Sequence, residues 1–265
     1  MPCFFITSDS FSPEGCITII GEDAHHISRS LRMAAGEHIT VADQNGILYD
    51  CALESFLPDC VIARICGAWQ AESEPPYRIH LYQGLPKGDK LEMIIQKSVE
   101  CGVYDITPFE SEYCVVRMRH DDGEAEARKL QRRQKIATEA AKQCGRGILP
   151  QVFPPVTFVE MLKRAAGADL CIFCYEGQRT VSIAKVLAGA RETLFFKKNG
   201  GETAVKTVDI SVIIGSEGGF SPKEAELACN AGAIPTGLGK RILRTETAPV
   251  FALSVLSYAF ELSGL

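Results

Sequence analysis

The sequence has 265 residues, of which 46% are hydrophobic and 23% are charged, so the chain can bury a core and is not intrinsically disordered. It contains no run of 18 apolar residues, and its start lacks a basic leader and a cleavage pattern, which predicts a cytoplasmic protein with no membrane span. The net charge of -5, taken alone, argues against nucleic acid as a partner.

Residues 1 to about 70 are predicted to form short β-strands separated by turns. β-branched residues dominate four segments, and Asn45-Gly46 between two of them is typical of a hairpin turn. The four predicted strands are 17–20, 38–41, 47–49 and 61–65.

A polar stretch with two prolines, 71–76, follows these strands and suits a linker. We therefore predict two domains, a small one over 1–72 and a larger one over 73–265.

After the linker, strands alternate with helices. Residues 78–83 are predicted to form a strand, and Asp89 and Glu92 have the spacing of a capping box that begins a helix. That helix should run to Cys101 with Gly102 just after its end, and a strand over 103–106 would complete a βαβ unit.

The remaining pattern is typical of an α/β domain with a mainly parallel sheet. Buried strands are predicted over 170–174 and 210–214, and Ser221 and Glu224 form a second capping box. The last helix, roughly 247–262, is apolar on nearly every face and is predicted to be buried. Residues 197–207 are polar and glycine-rich, which predicts a loop or hairpin.

The first candidate site is the loop Gly215-Ser216-Glu217-Gly218-Gly219, which follows a predicted strand and precedes a helix. Ligands bind at the carboxyl ends of strands in open α/β sheets. The spacing fits neither a dinucleotide fingerprint nor a P-loop. A tight structural turn and a ligand loop both remain open.

The second candidate is 237–248, which also leaves a short apolar segment, turns on glycines and enters a helix. The two loops would form one crevice if their strands were neighbours, with Arg244 and Glu246 beside it. An Arg–Glu surface pair, which contributes little stability, is the alternative.

Basic residues provide three further candidates. Lys87 and Lys90 precede a helix, where the dipole favours anions, although a solvated helix start is equally compatible. A helix within 117–146 would carry a basic stripe of Arg132, Lys135, Lys142 and Arg146. Glu139 within that stripe also permits an ordinary salt-bridged surface. His25, His26, Arg29 and Arg32 form a local basic patch, or serve in capping and packing.

The eleven cysteines are odd in number and scattered, so most should be reduced, small buried residues. Cys171 and Cys174 lie in an apolar strand where residues three apart face opposite sides, and no second ligand pair follows. We therefore expect no metal site.

Together these residues resemble the RsmE family, SPOUT-class methyltransferases that modify a uridine of 16S ribosomal RNA, uridine 1498, at N3. One departure is Ser216, where the family more often has proline. The matching segments are 25–33, 83–90, 95–97, 139–146, 214–220 and 241–248.

The resemblance implies a PUA-like β-barrel followed by an α/β SPOUT domain with a C-terminal trefoil knot. It also implies a homodimer, S-adenosylmethionine as cofactor, and 16S ribosomal RNA in the assembled small subunit as substrate. The cofactor-binding residues carried over are Tyr175, Gly215, Glu217, Gly218, Gly219, Leu238, Gly239, Ile242, Leu243, Thr247 and Ala248.

Methylation at uracil N3 requires loss of a proton and a base freed from its pairing. On this resemblance we expect Arg244 to stabilise the uracil anion, and Glu217 either to act as base or to orient Arg244. RNA contacts are expected from His25, His26, Arg29, Arg32, Lys87, Lys90, Arg132, Lys135, Lys142 and Arg146.

Two other functions are compatible with the sequence. One is an RNA-binding or assembly factor without catalysis, and the other is a SPOUT enzyme with a different target atom.

The net charge of the chain does not exclude RNA, because the negative charge belongs to the small domain. Residues 1–72 hold three Lys and Arg against ten Asp and Glu, a balance of -7, whereas the larger domain is slightly basic.

Overall fold

The computed structural model describes residues 1–118, 123–177, 180–196 and 207–263. The chain forms two compact units. The first is Met1–Glu74 with Ala141–Leu149, and the second is Pro75–Ala140 with Pro150–Leu265. The division into 1–72 and 73–265 stays a prediction, and it did not anticipate that Ala141–Leu149 groups with the first unit.

The first unit is built on one five-stranded sheet in the order β1-β3-β4-β5-β2. Strands β1 and β3 are parallel, and the other pairs are antiparallel. The four predicted strands and the turn at Asn45-Gly46 are confirmed. The elements are β1 (Cys3–Phe5), β2 (Cys16–Ile20), α1 (Gly21–His25), a π-helical turn (His26–Ser30), β3 (His38–Ala42), β4 (Ile47–Phe56) and β5 (Cys60–Gln70).

Alternate residues of these strands form the core of the first unit, as the period of two in a half-buried sheet requires. Ala24 and Ile27, from α1 and the turn after it, close the core on one side. The strand residues in the core include Ile17, Ile19, Ile39, Val41, Cys51, Leu53, Val61 and Ala63.

A buried ion pair holds Ala141–Leu149 within the first unit. The Arg146 side chain is 4% exposed and donates through Nε and Nη2 to the two carboxylate oxygens of Glu74, at 2.9 and 2.8 Å. Glu74 also accepts the backbone N–H groups of Gly147 and Ile148. Breaking such a pair leaves a buried charge and costs about 3–5 kcal/mol, so Arg146 is a structural residue of this unit.

The second unit is an α/β structure whose strands are all paired in parallel, in the order β11-β13-β10-β12-β6-β7-β8, with β9 beside β7. The predicted α/β class is therefore confirmed. Its elements, the last residues of α3 excepted, are β6 (Tyr77–Gly84), α2 (Lys90–Glu100), β7 (Asp105–Glu110), α3 (Gly123–Cys144), β8 (Gln151–Val152), β9 (Val156–Thr157), α4 (Phe158–Ala165), β10 (Leu170–Cys174), β11 (Val181–Ser182), α5 (Ile183–Ala190), a π-helical turn (Arg191–Phe196), β12 (Val208–Ile214), α6 (Pro222–Asn230), β13 (Ile234–Gly237), α7 (Thr247–Ser257) and a second π-helical turn (Tyr258–Leu262).

The two predicted capping boxes have different outcomes. At α6 the Ser221 and Glu224 side chains accept each other's backbone N–H groups, as predicted. At α2 the capping box is wrong, because Asp89 has ψ near 10° rather than extended backbone and its side chain makes no capping bond. The carboxylate of Glu92 pairs instead with Arg132, at 2.8 Å.

The last helix is less buried than its apolar sequence predicts. Ala252, Leu253 and Leu256 are buried, but the Tyr258 and Leu262 side chains, in the turn after α7, are 65% and 73% exposed. The expectation fails because the helix packs with one face, against α2 and β12.

No helix among the described residues has both the length and the apolar character needed to cross a membrane. The predicted loop or hairpin over 197–207 lies, apart from its last residue, outside the described residues.

Candidate active site

Three loops at the carboxyl ends of β10, β12 and β13 surround one cavity of about 830 Å³ in the second unit. Strand β10 lies between the other two, so the strands that precede the two glycine loops are not neighbours. Both loops nevertheless line the same cavity. Its lining is 174–177, Thr180, 214–220, 236–245, Lys90 and Ala248.

The loop after β12 is both a tight turn and a wall of the cavity. The N–H of Gly219 donates to the carbonyl of Ser216 at 3.0 Å, and Gly219 has a φ of 65°, which disfavours residues with a Cβ. A Cβ on Gly218 would lie 2.7 Å from the Cβ of Tyr113. The tight turn is therefore confirmed, and the ligand loop stays a prediction that the position beside the cavity supports.

Thr245 connects this loop to the loop that follows β13. Its side chain is buried, and its Oγ1 donates to the carbonyl of Gly215 at 2.8 Å. The same oxygen accepts from Nε2 of Gln83, at 3.0 Å. Gln83 is fully buried at the end of β6 and donates to the Gly215 carbonyl as well, at 3.3 Å.

Sequence reasoning had not singled out Gln83 or Thr245, although Thr245 lies within the second candidate loop. A polar side chain inside the apolar strand β6 was the available signal, because buried amides need hydrogen-bond partners. Gly84 contributes too, since a Cβ there would lie 2.5 Å from the backbone nitrogen of Ser216. Strand β6 can approach the loop this closely only with glycine at that position.

Four charged side chains, three of which line the cavity, form a chain of ion pairs. Lys90 donates to Glu217 at 2.8 Å and lies 3.4 Å from Oε2 of Glu246. Arg244 Nη1 lies 4.0 Å from Oε1 of Glu246, and the Arg244 side chain is 84% exposed. Lys90, expected to contact RNA, thus bridges two carboxylates of the site. Its contact with RNA stays a prediction.

Glu217 is held in its ionised form. Burial raises the pKa of its carboxyl group, but the hydrogen bond from Lys90 and backbone N–H groups, including that of Lys87, lower it by more, so the net shift is downward. A carboxylate with a lowered pKa is a weak base near neutral pH. Its charged partner is Lys90, so any effect of Glu217 on the orientation of Arg244 is indirect.

The predicted cofactor residues line the cavity, with the exception of Thr247. Thr247 is exposed at the first turn of α7. Tyr175 stacks on Phe173 with ring centroids 5.6 Å apart, and Leu238 and Leu243 are half-buried. Ile242 lines the cavity but is 84% exposed, so it lies at the rim rather than in an enclosed apolar pocket.

The predicted basic stripe does not form one surface. Arg132 and Lys135 are exposed on α3, with Arg132 paired to Glu92. Lys142 is paired with Asp23 at 2.8 Å and is largely buried. Arg146 is buried against Glu74, so its predicted contact with phosphates is wrong. It lies beyond the end of α3, where helical periodicity no longer applies.

The other basic candidates are exposed. Lys87 is exposed at the loop before α2, and its backbone N–H donates to Glu217. His25, His26, Arg29 and Arg32 are exposed on α1 and the residues after it, in the first unit.

Comparison with known proteins gives consistent matches. A family model described as an RNA methyltransferase domain matches residues 73–257, and one described as an RNA methyltransferase PUA domain matches 19–56. The chain is 34% identical to ribosomal RNA small subunit methyltransferase E of Bacillus subtilis (strain 168), over 97% of this chain and 95% of that protein. The Synechocystis protein of the same name is 29% identical, over 94% and 75%.

Two solved structures are similar along nearly the whole chain. A ribosomal RNA small subunit methyltransferase E from Neisseria gonorrhoeae, bound to S-adenosyl methionine, has a TM-score of 0.79 and 28% identity, covering 98% of each chain. A Legionella pneumophila protein in complex with the bound cofactor SAM has a TM-score of 0.78 and 30% identity, covering 97% of each chain.

Replacing Thr245 with valine should destabilise the protein, because the change keeps the shape but leaves Gln83 Nε2 and the Gly215 carbonyl each short of a partner. We expect a loss of about 1–3 kcal/mol in the free energy of unfolding, measured by urea denaturation of the full chain. Thr245→Ser, which keeps the hydroxyl group, should retain most of the wild-type free energy of unfolding.

Thr247→Val is the matched control, since Thr247 is exposed two residues later and should change stability by less than about 0.5 kcal/mol. If Thr245→Val and Thr247→Val lowered the free energy of unfolding equally, the stabilising role assigned to the Thr245 hydrogen bonds would be contradicted.

Proposed function

Because this chain belongs to the ribosomal RNA small subunit methyltransferase E family, we propose that it methylates N3 of a uracil in 16S ribosomal RNA, with uridine 1498 as the target. The methyl donor is S-adenosylmethionine. The observation that carries the proposal is the single cavity formed by three strand-end loops beside a cluster of two cations and two carboxylates.

The cavity suits S-adenosylmethionine in size and chemistry. Its volume of about 830 Å³ is within the range of small-molecule sites. Gly215, Gly218 and Gly219 present backbone groups to it without side chains, while Leu238 and Leu243 supply apolar surface for an adenine ring. When bound, the sulfonium of this molecule supplies an electrophilic methyl group.

Arg244 is the residue to which we assign stabilisation of the uracil anion. N3 must lose its proton before it can attack carbon, so a positive charge near N3 lowers the barrier. The guanidinium of Arg244 is exposed beside the cavity, and its ion pair with Glu246, at 4.0 Å, is long. It can therefore turn towards a base without breaking a short hydrogen bond.

Glu217 serves in this proposal as a positioning residue. Its lowered pKa keeps it ionised, and its hydrogen bond with Lys90 holds that ammonium between the two loops. Lys90 in turn lies 3.4 Å from Glu246, the neighbour of Arg244. Glu217 thus acts on Arg244 through two intermediate charges rather than as the base.

We also propose a homodimer, a C-terminal trefoil knot of the SPOUT class, and the assembled small subunit in the cytoplasm as substrate. Exposed Tyr258 and Leu262 after α7 support the dimer, since adjacent apolar side chains on a surface favour burial against a partner. Uracil N3 is normally engaged in pairing, so the target must be unpaired or flipped out before reaction.

The two competing functions remain testable. A non-catalytic assembly factor would use the first unit for RNA and has no need of S-adenosylmethionine. A related enzyme with another target atom would bind the same cofactor, because substrate positioning selects the atom.

The proposed reaction can be tested with purified protein, labelled S-adenosylmethionine, and small subunits from a bacterial strain lacking its own enzyme of this family. We expect N3-methyluridine in digested 16S RNA, detected by nucleoside mass spectrometry, and much less of it with protein-free 16S RNA.

Subunits that already carry the modification are the control and should accept no label. A different methylated nucleoside would identify another target atom. If calorimetry detects no binding of S-adenosylmethionine, the result would support a non-catalytic assembly factor.

Arg244→Ala should lower the single-turnover rate of methyl transfer by roughly 10²–10³-fold, the usual cost of removing one group that stabilises a developing anion. Affinity for S-adenosylmethionine, measured by calorimetry, should change little. Lys223→Ala, an exposed lysine on α6, is the control.

Glu217→Gln and Lys90→Met should each lower the rate less than Arg244→Ala. Because they break the same ion pair, the double variant should be no slower than the worse single variant. Full activity of both Arg244→Ala and Glu217→Gln would refute these assignments.

RNA docking is proposed for two exposed groups, Arg29 with Arg32 on the first unit and Arg132 with Lys135 on the second. Each phosphate contact releases counterions, which makes binding salt-dependent. Lys142 and Arg146 take no part, because their side chains are only 18% and 4% exposed in ion pairs with Asp23 and Glu74, whereas the paired Arg132 side chain is 68% exposed.

Replacing either pair with alanine should weaken RNA binding and reduce the slope of log K against log salt by about one for each phosphate that the variant no longer neutralises. Fluorescence anisotropy with a 16S fragment at several salt concentrations measures this. The Lys163→Ala/Arg164→Ala variant, in which two exposed cations on α4 are removed, is charge-matched, and an equal effect there would exclude the proposed surfaces.

A further inference from the structure

Three potential metal ligands of different chemistry meet on the first unit. They are an imidazole nitrogen of His38, a carboxylate oxygen of Asp50 and the thiol sulfur of Cys66, and all three atoms lie within 4.8 Å of one another. Within the described ranges, no other group of three such ligands is this close.

The three residues come from neighbouring strands and share the outer face of the sheet. His38 begins β3, Asp50 lies in β4 and Cys66 lies in β5. Ile39 and Cys51, the next residues along β3 and β4, are fully buried on the opposite face. The alternation of a strand thus directs His38 and Asp50 outward.

An irregularity in the β4–β5 pairing places Cys66. Asp50 pairs with Gly67 and Cys51 pairs with Ile65, so Cys66 is the extra residue of a bulge. Bulges re-aim side chains and recur at functional sites. Here the bulged residue is exposed, and its sulfur lies beside the two ligands supplied by β3 and β4.

We propose that His38, Asp50 and Cys66 bind a divalent late transition metal, and that the natural metal is zinc. Nitrogen, oxygen and thiolate sulfur together are the donor set that zinc prefers, and three protein ligands leave a fourth position for water. Hard cations such as magnesium prefer oxygen alone and are disfavoured here.

The geometry requires only local adjustment. His38 Nδ1 and Asp50 Oδ1 are hydrogen-bonded at 2.7 Å, whereas ligands of tetrahedral zinc lie roughly 3.3–3.8 Å apart, given bonds of about 2.0–2.3 Å. Movements of about 1 Å suffice, and His38 and Cys66 are exposed and can make them. The metal takes the place of the proton between His38 and Asp50, the neutral imidazole then carries its proton on Nε2, and the thiol releases its proton to solvent.

The neighbouring thiol is not a competing ligand. Cys51 is fully buried on the other face of the sheet and is not part of the cluster. Cys60, at the start of the same strand β5, is partly exposed but lies outside the cluster, which makes it a suitable control.

The test is a titration of the metal-free, reduced full chain with Co²⁺, whose thiolate charge-transfer and d–d bands report sulfur ligation and geometry. We expect saturable binding with a thiolate band at one equivalent, displaced by Zn²⁺. Cys66→Ser and His38→Asn should each abolish this band, and Cys60→Ser should retain it.

Thermal unfolding provides a second measurement, since a ligand that binds the folded state raises the midpoint. Zn²⁺ should raise the midpoint of the wild type and of Cys60→Ser but not of Cys66→Ser. A thiolate band that survives Cys66→Ser, disappears in Cys60→Ser, or never forms would overturn the proposal. Circular dichroism spectra identical to the wild type verify that the variants fold.

Discussion

The buried hydrogen bonds of Thr245 fix the geometry on which the rest of the site depends. One hydroxyl oxygen can donate and accept at the same time, and here it joins the Gly215 carbonyl to the Gln83 amide. Separating the two glycine loops would take one hydrogen-bond partner from each of these groups, at about 1–3 kcal/mol in all. The loops are therefore held together before any ligand arrives, so binding does not have to order them.

The positions of the two loops in turn determine which charged side chains of the site pair with one another. Lys90 lies between Glu217 and Glu246, so two carboxylates that would otherwise repel each other are joined by one ammonium. That arrangement uses the charge of Lys90 within the protein. It leaves Arg244, which has a long contact and an exposed side chain, as a cation that no short ion pair holds within the protein. In the proposed mechanism, charge balance thus separates a positioning cation, Lys90, from the cation assigned to the substrate, although the two residues have the same formal charge.

The features predicted correctly are those determined by nearby residues. Glycines that follow apolar strands identified both cavity loops, and the Ser221 capping box was predicted because its partners are three residues apart. Lys90 and Glu217 are 127 residues apart, and Arg146 and Glu74 are 72 apart, so no local pattern indicated either pair. Arg146 was assigned to a helical face by 100° periodicity, yet Gly145, with a φ of 72°, has already ended the helix. The Asp89 prediction failed for a related reason, since backbone conformation, not residue type, decides whether a side chain can cap.

The first unit presents an electrostatic problem for a protein that acts on RNA. Residues 1–72 have a balance of -7, and the added segment brings Lys142 and Arg146, but both are used in ion pairs with Asp23 and Glu74. RNA can therefore approach this unit only where cations stand exposed, as at Arg29 and Arg32. The proposed metal site would also reduce the repulsion between this unit and RNA. Binding a divalent ion with loss of the Cys66 proton makes the outer face of β3, β4 and β5 more positive by one charge, so the ion that joins the strands also weakens the repulsion between this unit and a polyanion.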